Sequence, residues 1–160
     1  MILTDFYSYN DQNSILSQLD KLQTAWEAIP LLYSLLKENK FHSTLGNGTL
    51  MLLLDEEKLT DGNPTIAAFA TFCDVDEVDS PLRPWIGFVF TSPDYRGRHL
   101  MGQIIEFCMS EAPKRYPDSD YVYISTAETG LYEKYGFEFF QNLTSRWNGQ
   151  TRGYRRKIQK

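Results

Sequence analysis

One short stretch, Phe88-Val89-Phe90-Thr91-Ser92-Pro93-Asp94-Tyr95-Arg96-Gly97-Arg98-His99-Leu100, has residue types and spacing suited to gripping an anion. An apolar run stops at Ser92-Pro93, crosses Arg96-Gly97-Arg98 and enters an amphipathic segment through His99, Leu100, Met101 and Gly102. A strand–loop–helix junction of this kind aims several backbone N–H groups, those of Arg96 to Gly102, and the positive end of a helix dipole at one point. With two arginines beside it, that point suits a phosphate or pyrophosphate. A plain connection carrying two solvated arginines has the same local composition, so the loop alone does not decide the matter.

A second apolar run, Tyr121-Val122-Tyr123-Ile124-Ser125, leads into Thr126-Ala127-Glu128-Thr129-Gly130-Leu131-Tyr132-Glu133-Lys134-Tyr135-Gly136-Phe137. Together the two segments resemble the GCN5-related N-acetyltransferase (GNAT) superfamily. Its loop pattern Arg/Gln-x-x-Gly-x-Gly/Ala follows the fourth strand, and its Leu-Tyr-Glu-Lys-x-Gly-Phe pattern lies beyond the fifth. Here Arg96 takes the first loop position, while His99 and Met101 stand at the two small-residue positions. The resemblance covers Trp85 to Phe137, and the second motif is the more specific.

The resemblance implies acetyl-coenzyme A as co-substrate, no metal, and a primary amine of a small molecule or peptide as acceptor. A non-catalytic acyl-coenzyme A-binding or partner-binding module is the alternative. The pyrophosphate would rest on Arg96, Gly97, Arg98, His99, Leu100, Met101 and Gly102. The amide-rich pantetheine arm would pair with Phe88, Val89 and Phe90 as an added strand, and the N–H of Val89 or Phe90 would polarise the acetyl carbonyl. Ser125 and Thr126 would add cofactor hydrogen bonds. Tyr132 would serve as general acid toward the leaving thiolate. His99 is expected at negative φ, as at a helix start, and Met101 is expected to point into the core with only its N–H facing the cofactor. Strand Trp85–Thr91 carries no carboxylate, where some family members place a base. The acidic run Asp74-Val75-Asp76-Glu77-Val78-Asp79 offers Asp74, Asp76, Glu77 and Asp79 near the expected amine side as candidate bases, directly or through a water, but all four read by default as a solvated loop, leaving the base unassigned.

The elements that must position these residues follow from periodicity and breakers. Strands are expected over Met1–Tyr7, Thr49–Asp55, Thr65–Asp74, Trp85–Thr91, Tyr121–Ser125 and Phe137–Trp147, with a return strand at Thr151–Lys157 after the hairpin signal Asn148-Gly149. Helices are expected after a cap at Asp11–Asn13, near Pro30, and over Arg98–Ala112, where Pro113 should end it; a short helix should follow Ser125. This order makes a mixed α/β sheet with helices on both faces, Trp85–Thr91 and Tyr121–Ser125 being parallel neighbours. In the family these two strands splay and coenzyme A enters the gap.

At 160 residues the chain fits a single domain, 1–160. The longest apolar run, Ile66 to Phe72, is too short to span a bilayer, and the N-terminus lacks the cationic start of a signal peptide. Cys73 and Cys108 fall on apolar faces and read as reduced thiols of a cytoplasmic protein. The net charge is −5, and six basic residues with no acidic one lie between Asn142 and Lys160, so the acidic excess sits in the rest of the chain. An acidic body argues against sequence-independent nucleic-acid binding and is compatible with a cationic amine substrate. A homodimer stays open. No Gly-x-x-x-x-Gly-Lys-Ser/Thr or Gly-x-Gly-x-x-Gly is present.

Overall fold

The computed structural model describes all 160 residues. Seven strands form one sheet: β1 (Ile2–Asp5), β2 (Gly48–Thr60), β3 (Asn63–Cys73), β4 (Trp85–Thr91), β5 (Tyr121–Thr126), β6 (Glu138–Ser145) and β7 (Gly149–Lys157), in the order β1-β2-β3-β4-β5-β7-β6. Only β4 and β5 run parallel; every other neighbouring pair is antiparallel. Helices α1 (Gln12–Lys21), α2 (Ile29–Lys37) and α3 (Phe41–Leu45) cover one face, and α4 (Leu100–Arg115) covers the other.

The alternation of β2 explains the two layers. Leu50, Leu52 and Leu54 pack toward α1–α3 with Ile15, Leu19 and Leu32, while Met51 and Leu53 point to the α4 side with Ile104, Ile105 and Cys108. Successive strand residues face opposite sides, so an unbroken leucine run feeds both cores. Asp11 caps α1, its carboxylate accepting from the Ser14 N–H at 3.1 Å. The buried Gln18 amide pins that helix to β3, donating to the Pro64 carbonyl and accepting from the Ile66 N–H, both at 2.8 Å. Between β2 and β3, Asp61 and Gly62 have φ of +50° and +82°, the two-residue turn that matches strand twist.

Several elements differ from expectation. Helix α4 runs through Pro113 to Arg115. A proline there gives up the bond from its own nitrogen and crowds the carbonyl one turn earlier, yet the last turn still closes through Tyr116 N–H to Ala112 at 2.8 Å. The segment after β5 makes only a short 3₁₀ turn at Glu133–Tyr135, because Thr126 and Glu133 side chains take the Glu128 and Gly130 N–H groups. The β6–β7 connection has three residues, Arg146 to Asn148, rather than a two-residue Asn-Gly turn. Helix α3 and the far half of β2 were not expected at all.

No helix is long and apolar enough to cross a membrane. Both cysteines are free and buried. Because α4 must stay seated on the sheet, Ile104→Ala, at a fully buried position, should destabilise the fold by about 2–5 kcal/mol. Leu59→Ala, at an exposed one, should stay within about 0.5 kcal/mol; urea unfolding of the two variants checks the contrast.

Candidate active site

Strands β4 and β5 are joined at only two positions, Trp85 opposite Tyr123 and Ile86 opposite Ile124. Beyond them β5 stays on β7 as far as Thr126 opposite Arg152, whereas β4 follows β3. Within β4 two residues, Phe88 and Val89, stand opposite the single Ala70. This bulge holds Phe88 at φ +47°, and an extra residue of this kind leaves the ladder locally unpaired and bends the strand. A gap opens where the strands part, and two cavities adjoin in it, sharing Val89, Leu131 and Tyr132.

The first cavity, of about 320 Å³, lies at the start of α4 and is lined by Arg96, His99 and Lys134 with no carboxylate. Arg96 donates through Nε to the Thr91 carbonyl at 3.0 Å and lies over the Phe90 ring, with no carboxylate partner. The α4 N-terminus has no side-chain cap; the Gly102 N–H turns back to the His99 carbonyl at 3.1 Å, which leaves the Leu100 and Met101 N–H groups at the positive end of the dipole. Gly97, Leu100 and Met101 line the cavity as well, and the Met101 side chain is buried in the α4 core as expected. This donor set suits a diphosphate.

His99 departs from expectation. Its φ is +55°, not negative, so the loop requires the left-handed conformation that a glycine at this position adopts freely. Histidine is among the residues that tolerate it. Arg98 and Gly102 do not line the cavity. Arg98 stacks over Tyr95, and the Gly102 Cα faces the Tyr135 ring, where an added Cβ would come within 3.3 Å. Phe90 also lies outside both cavities, its ring stacked on Trp26 with centroids 6.0 Å apart.

Tyr132 stands at the junction. It precedes the 3₁₀ turn and is 6% exposed, in edge contact with Phe137. The segment is held by Phe137 N–H to the Tyr132 carbonyl at 3.2 Å and by Gly136 at φ +85°, against which Arg156 packs while forking onto Glu106. Burial first, then the Glu128 and Asp76 carboxylates, raise the Tyr132 phenol above its ordinary range. A phenol is protonated at neutral pH in any case, and burial holds that proton more firmly.

The second cavity, about 570 Å³, has four carboxylates on its walls, Glu27, Asp76, Glu77 and Glu128, and no Lys, Arg or His. Aromatic rings of Trp26, Phe88 and Trp147 form one side, Phe88 lying 6.5 Å from Trp26 and 5.8 Å from Trp147. Ser125 and Thr126 line this cavity; the Ser125 hydroxyl donates to Glu77 at 2.6 Å, so its proton is engaged by protein.

The acidic run is not a solvated loop. Asp74 is held by Arg83 and by the Asn47 N–H and Tyr116 hydroxyl, all at 2.9 Å. Asp76 is 5% exposed, and Arg146 ties the loop to the β6–β7 turn by donating to the Asp76 carbonyl at 2.6 Å. Only Asp79 is exposed. The signal was present in the sequence as Gly87, a lone glycine in a strand of bulky residues, which marks a close approach. Trp26, Glu27 and Trp147 had no local signal. No group of three His, Cys, Asp or Glu side chains is placed to hold a metal.

Comparison with known proteins accords with this geometry. The family model of the acetyltransferase (GNAT) domain matches residues 19–140, and the chain belongs to that family. It is thus an acetyl-coenzyme A-dependent N-acetyltransferase. No curated protein matches the sequence. Among solved structures, aminoglycoside 6′-N-acetyltransferase complexed with coenzyme A superposes with a TM-score of 0.68 at 13% identity, covering 100% of this chain and 98% of the other. An acyl-CoA N-acyltransferase from Pseudomonas aeruginosa gives 0.60 at 19% identity over 97% of both chains. A spermidine N-acetyltransferase chimera from Vibrio cholerae gives 0.60 at 14% identity, covering 99% and 96%. At these identities the likeness concerns the fold, and it includes the mixed sheet with helices on both faces.

The left-handed loop residue gives a stability test. His99→Gly should fold with stability within about 1 kcal/mol of the parent, strain relief offsetting chain entropy. A β-branched His99→Val should cost about 1–3 kcal/mol. Thermal melting of the pair checks the assignment.

Proposed function

We propose that this acetyltransferase acetylates the primary amine of a small molecule or peptide that enters as a cation. The observation that carries this reading is the pair of adjoining cavities of opposite charge, meeting at Val89 and Tyr132. Phosphates suit the cavity lined by Arg96, His99 and Lys134, and an ammonium suits the one walled by carboxylates and aromatic rings. The thioester would then lie between them, where the bulge frees main-chain groups. Solved relatives whose names specify aminoglycoside and spermidine acceptors agree with an amine acceptor.

In this reading the pantetheine arm lies along Phe88 and Val89, and the Val89 N–H polarises the acetyl carbonyl. The amine attacks the carbonyl carbon directly. As the tetrahedral centre collapses, the C–S bond breaks and Tyr132 gives its proton to the sulfur. Its neutral, buried hydroxyl supports that role. Free thiols in the core suit a reducing cytoplasm.

Three measurements test the reading. Coenzyme A and desulfo-coenzyme A should both raise the melting temperature, since the loop grips phosphate rather than thiol; no shift at millimolar ligand would overturn it. Arg96→Ala should weaken coenzyme A binding by about 1.5–3 kcal/mol, measured by calorimetry. Tyr132→Phe should keep the fold and coenzyme A affinity while lowering kcat by up to about 10²-fold, the low end for acid catalysis because a thiolate leaves readily. Turnover is followed against a panel of polyamines, aminoglycosides and peptides with free N-termini. Binding of coenzyme A without acetylation of any amine would leave a non-catalytic module.

A further inference from the structure

We infer that Asp76, delivered from the β3–β4 loop onto Gly87, is the general base that takes the proton from the acceptor ammonium. This deepens the amine-acetyltransfer reading and rests on it.

The argument begins with Gly87. It follows Ile86, the last β4 residue paired with β5, and precedes Phe88, the first residue of the bulge. The Asp76 carboxylate occupies the space a side chain would take there: a Cβ on Gly87 would lie 2.1 Å from Oδ1, 2.3 Å from Cγ and 2.6 Å from Oδ2. Strand β4 thus carries no carboxylate of its own at the mouth of the gap but receives one from the neighbouring loop. The loop is fixed there by the β6–β7 turn and the end of β6. Arg146 donates from its guanidinium to the Asp76 carbonyl and from its N–H to the Glu77 carbonyl at 2.7 Å, and Val78 bridges to Ser145.

The four carboxylates of the cavity are not equivalent. Glu27 and Glu128 are exposed, and Glu77 accepts the Ser125 hydroxyl. Asp76 alone is buried, and its Oδ1 has no hydrogen-bond partner. A buried carboxylate oxygen without a donor is rare where its role is structural. The groups facing it are Glu77 on its own loop, Cys73 at the end of β3, Arg146 from the β6–β7 turn and Tyr132 after β5; β4 offers only Gly87. Burial outweighs both the Glu77 backbone N–H and the Arg146 cation, which pull the other way, and the Glu77 carboxylate adds to burial, so the carboxyl is pushed up to about 7. Cys73 and Tyr132 are themselves raised by burial and stay neutral. Asp76 is then poised between acid and base near neutral pH, where proton acceptance is most effective.

The proton balance is as follows. Asp76 takes one proton from R–NH₃⁺, freeing the nitrogen lone pair that forms the C–N bond. When the C–S bond breaks, Tyr132 protonates the sulfur and recovers a proton from the amide nitrogen. Asp76 releases its proton to solvent, so an ammonium and acetyl-coenzyme A yield the amide, coenzyme A thiol and one proton.

The test uses the full chain, acetyl-coenzyme A and the amine of the panel with highest turnover. In the parent, kcat/KM should rise with pH through an apparent pKa near 7; a flat profile from about pH 5 to 9 overturns the assignment without any variant. Asp76→Asn should lower kcat about 10²–10⁴-fold and abolish that limb, while coenzyme A affinity stays unchanged. Parent-like turnover and profile in Asp76→Asn would refute the role. The stability sign is also fixed: a carboxyl raised on folding stabilises fully below its unfolded value, and that contribution is lost as pH rises toward 7. Asp76→Asn should therefore gain stability relative to the parent between about pH 4 and 8. Should Asp76→Asn fail to fold, Gly87→Ala displaces the same carboxylate by its Cβ; lost turnover with coenzyme A binding retained supports the base, and parent-like turnover overturns it. Failure of the parent to acetylate any amine rejects the acetyltransfer reading itself, whereas these variants reject only Asp76.

Discussion

Everything at the centre of this molecule follows from how little β4 holds β5. Two paired positions, Trp85 with Tyr123 and Ile86 with Ile124, join the only parallel neighbours in the sheet, after which each strand keeps its other partner and leaves the first. The bulge at Phe88–Val89 enforces the divergence, because two residues must be fitted opposite Ala70. An opened sheet exposes main-chain groups that a ligand backbone can pair with. It also sets the start of α4, which follows β4 after a short loop, beside one end of the gap.

Charge divides that gap into two environments. Arg96, His99 and Lys134 face one cavity and Glu27, Asp76, Glu77 and Glu128 the other, although the chain as a whole is acidic. Such a division orients a ligand pair as much as it attracts it, since reversing either member puts like charges together. The two groups proposed to move protons, Tyr132 and Asp76, share one cause for their shifts. Both are buried, and burial disfavours the charged form of each. A phenol kept protonated and a carboxyl held near neutrality are opposite tools made by the same physics.

Much of the fold was legible because its signals are local. The apolar run Trp85–Thr91, its proline stop and the stripe Leu100-Met101-Ile104-Ile105-Cys108 placed β4 and α4 correctly, and their spacing made the parallel neighbour of β4 evident. The Leu131–Phe137 motif singled out Tyr132, which lies where the two cavities adjoin, just before a 3₁₀ turn and not in the expected helix. What escaped depended on distant partners. His99 adopts positive φ because of the loop around it, which a residue-type argument for negative φ does not contain. Asp74 and Asp76 looked like a solvated run because Arg83, Tyr116 and Arg146, which hold the loop, come from elsewhere in the chain. Trp26 and Trp147 meet Phe88 from opposite ends of the sequence, and no pattern in either neighbourhood announces that meeting.

The central claim is that the parting of β4 from β5 seats the co-substrate, with its phosphates at the α4 N-terminus and its sulfur at Tyr132. A crystal structure with coenzyme A bound tests it most directly. The account predicts pyrophosphate oxygens on the N–H groups of the Arg96–Met101 loop, pantetheine amides alongside Phe88 and Val89, and sulfur within hydrogen-bonding reach of the Tyr132 hydroxyl. Coenzyme A bound outside the gap, or with its sulfur on the far side of β5 from Tyr132, would contradict it.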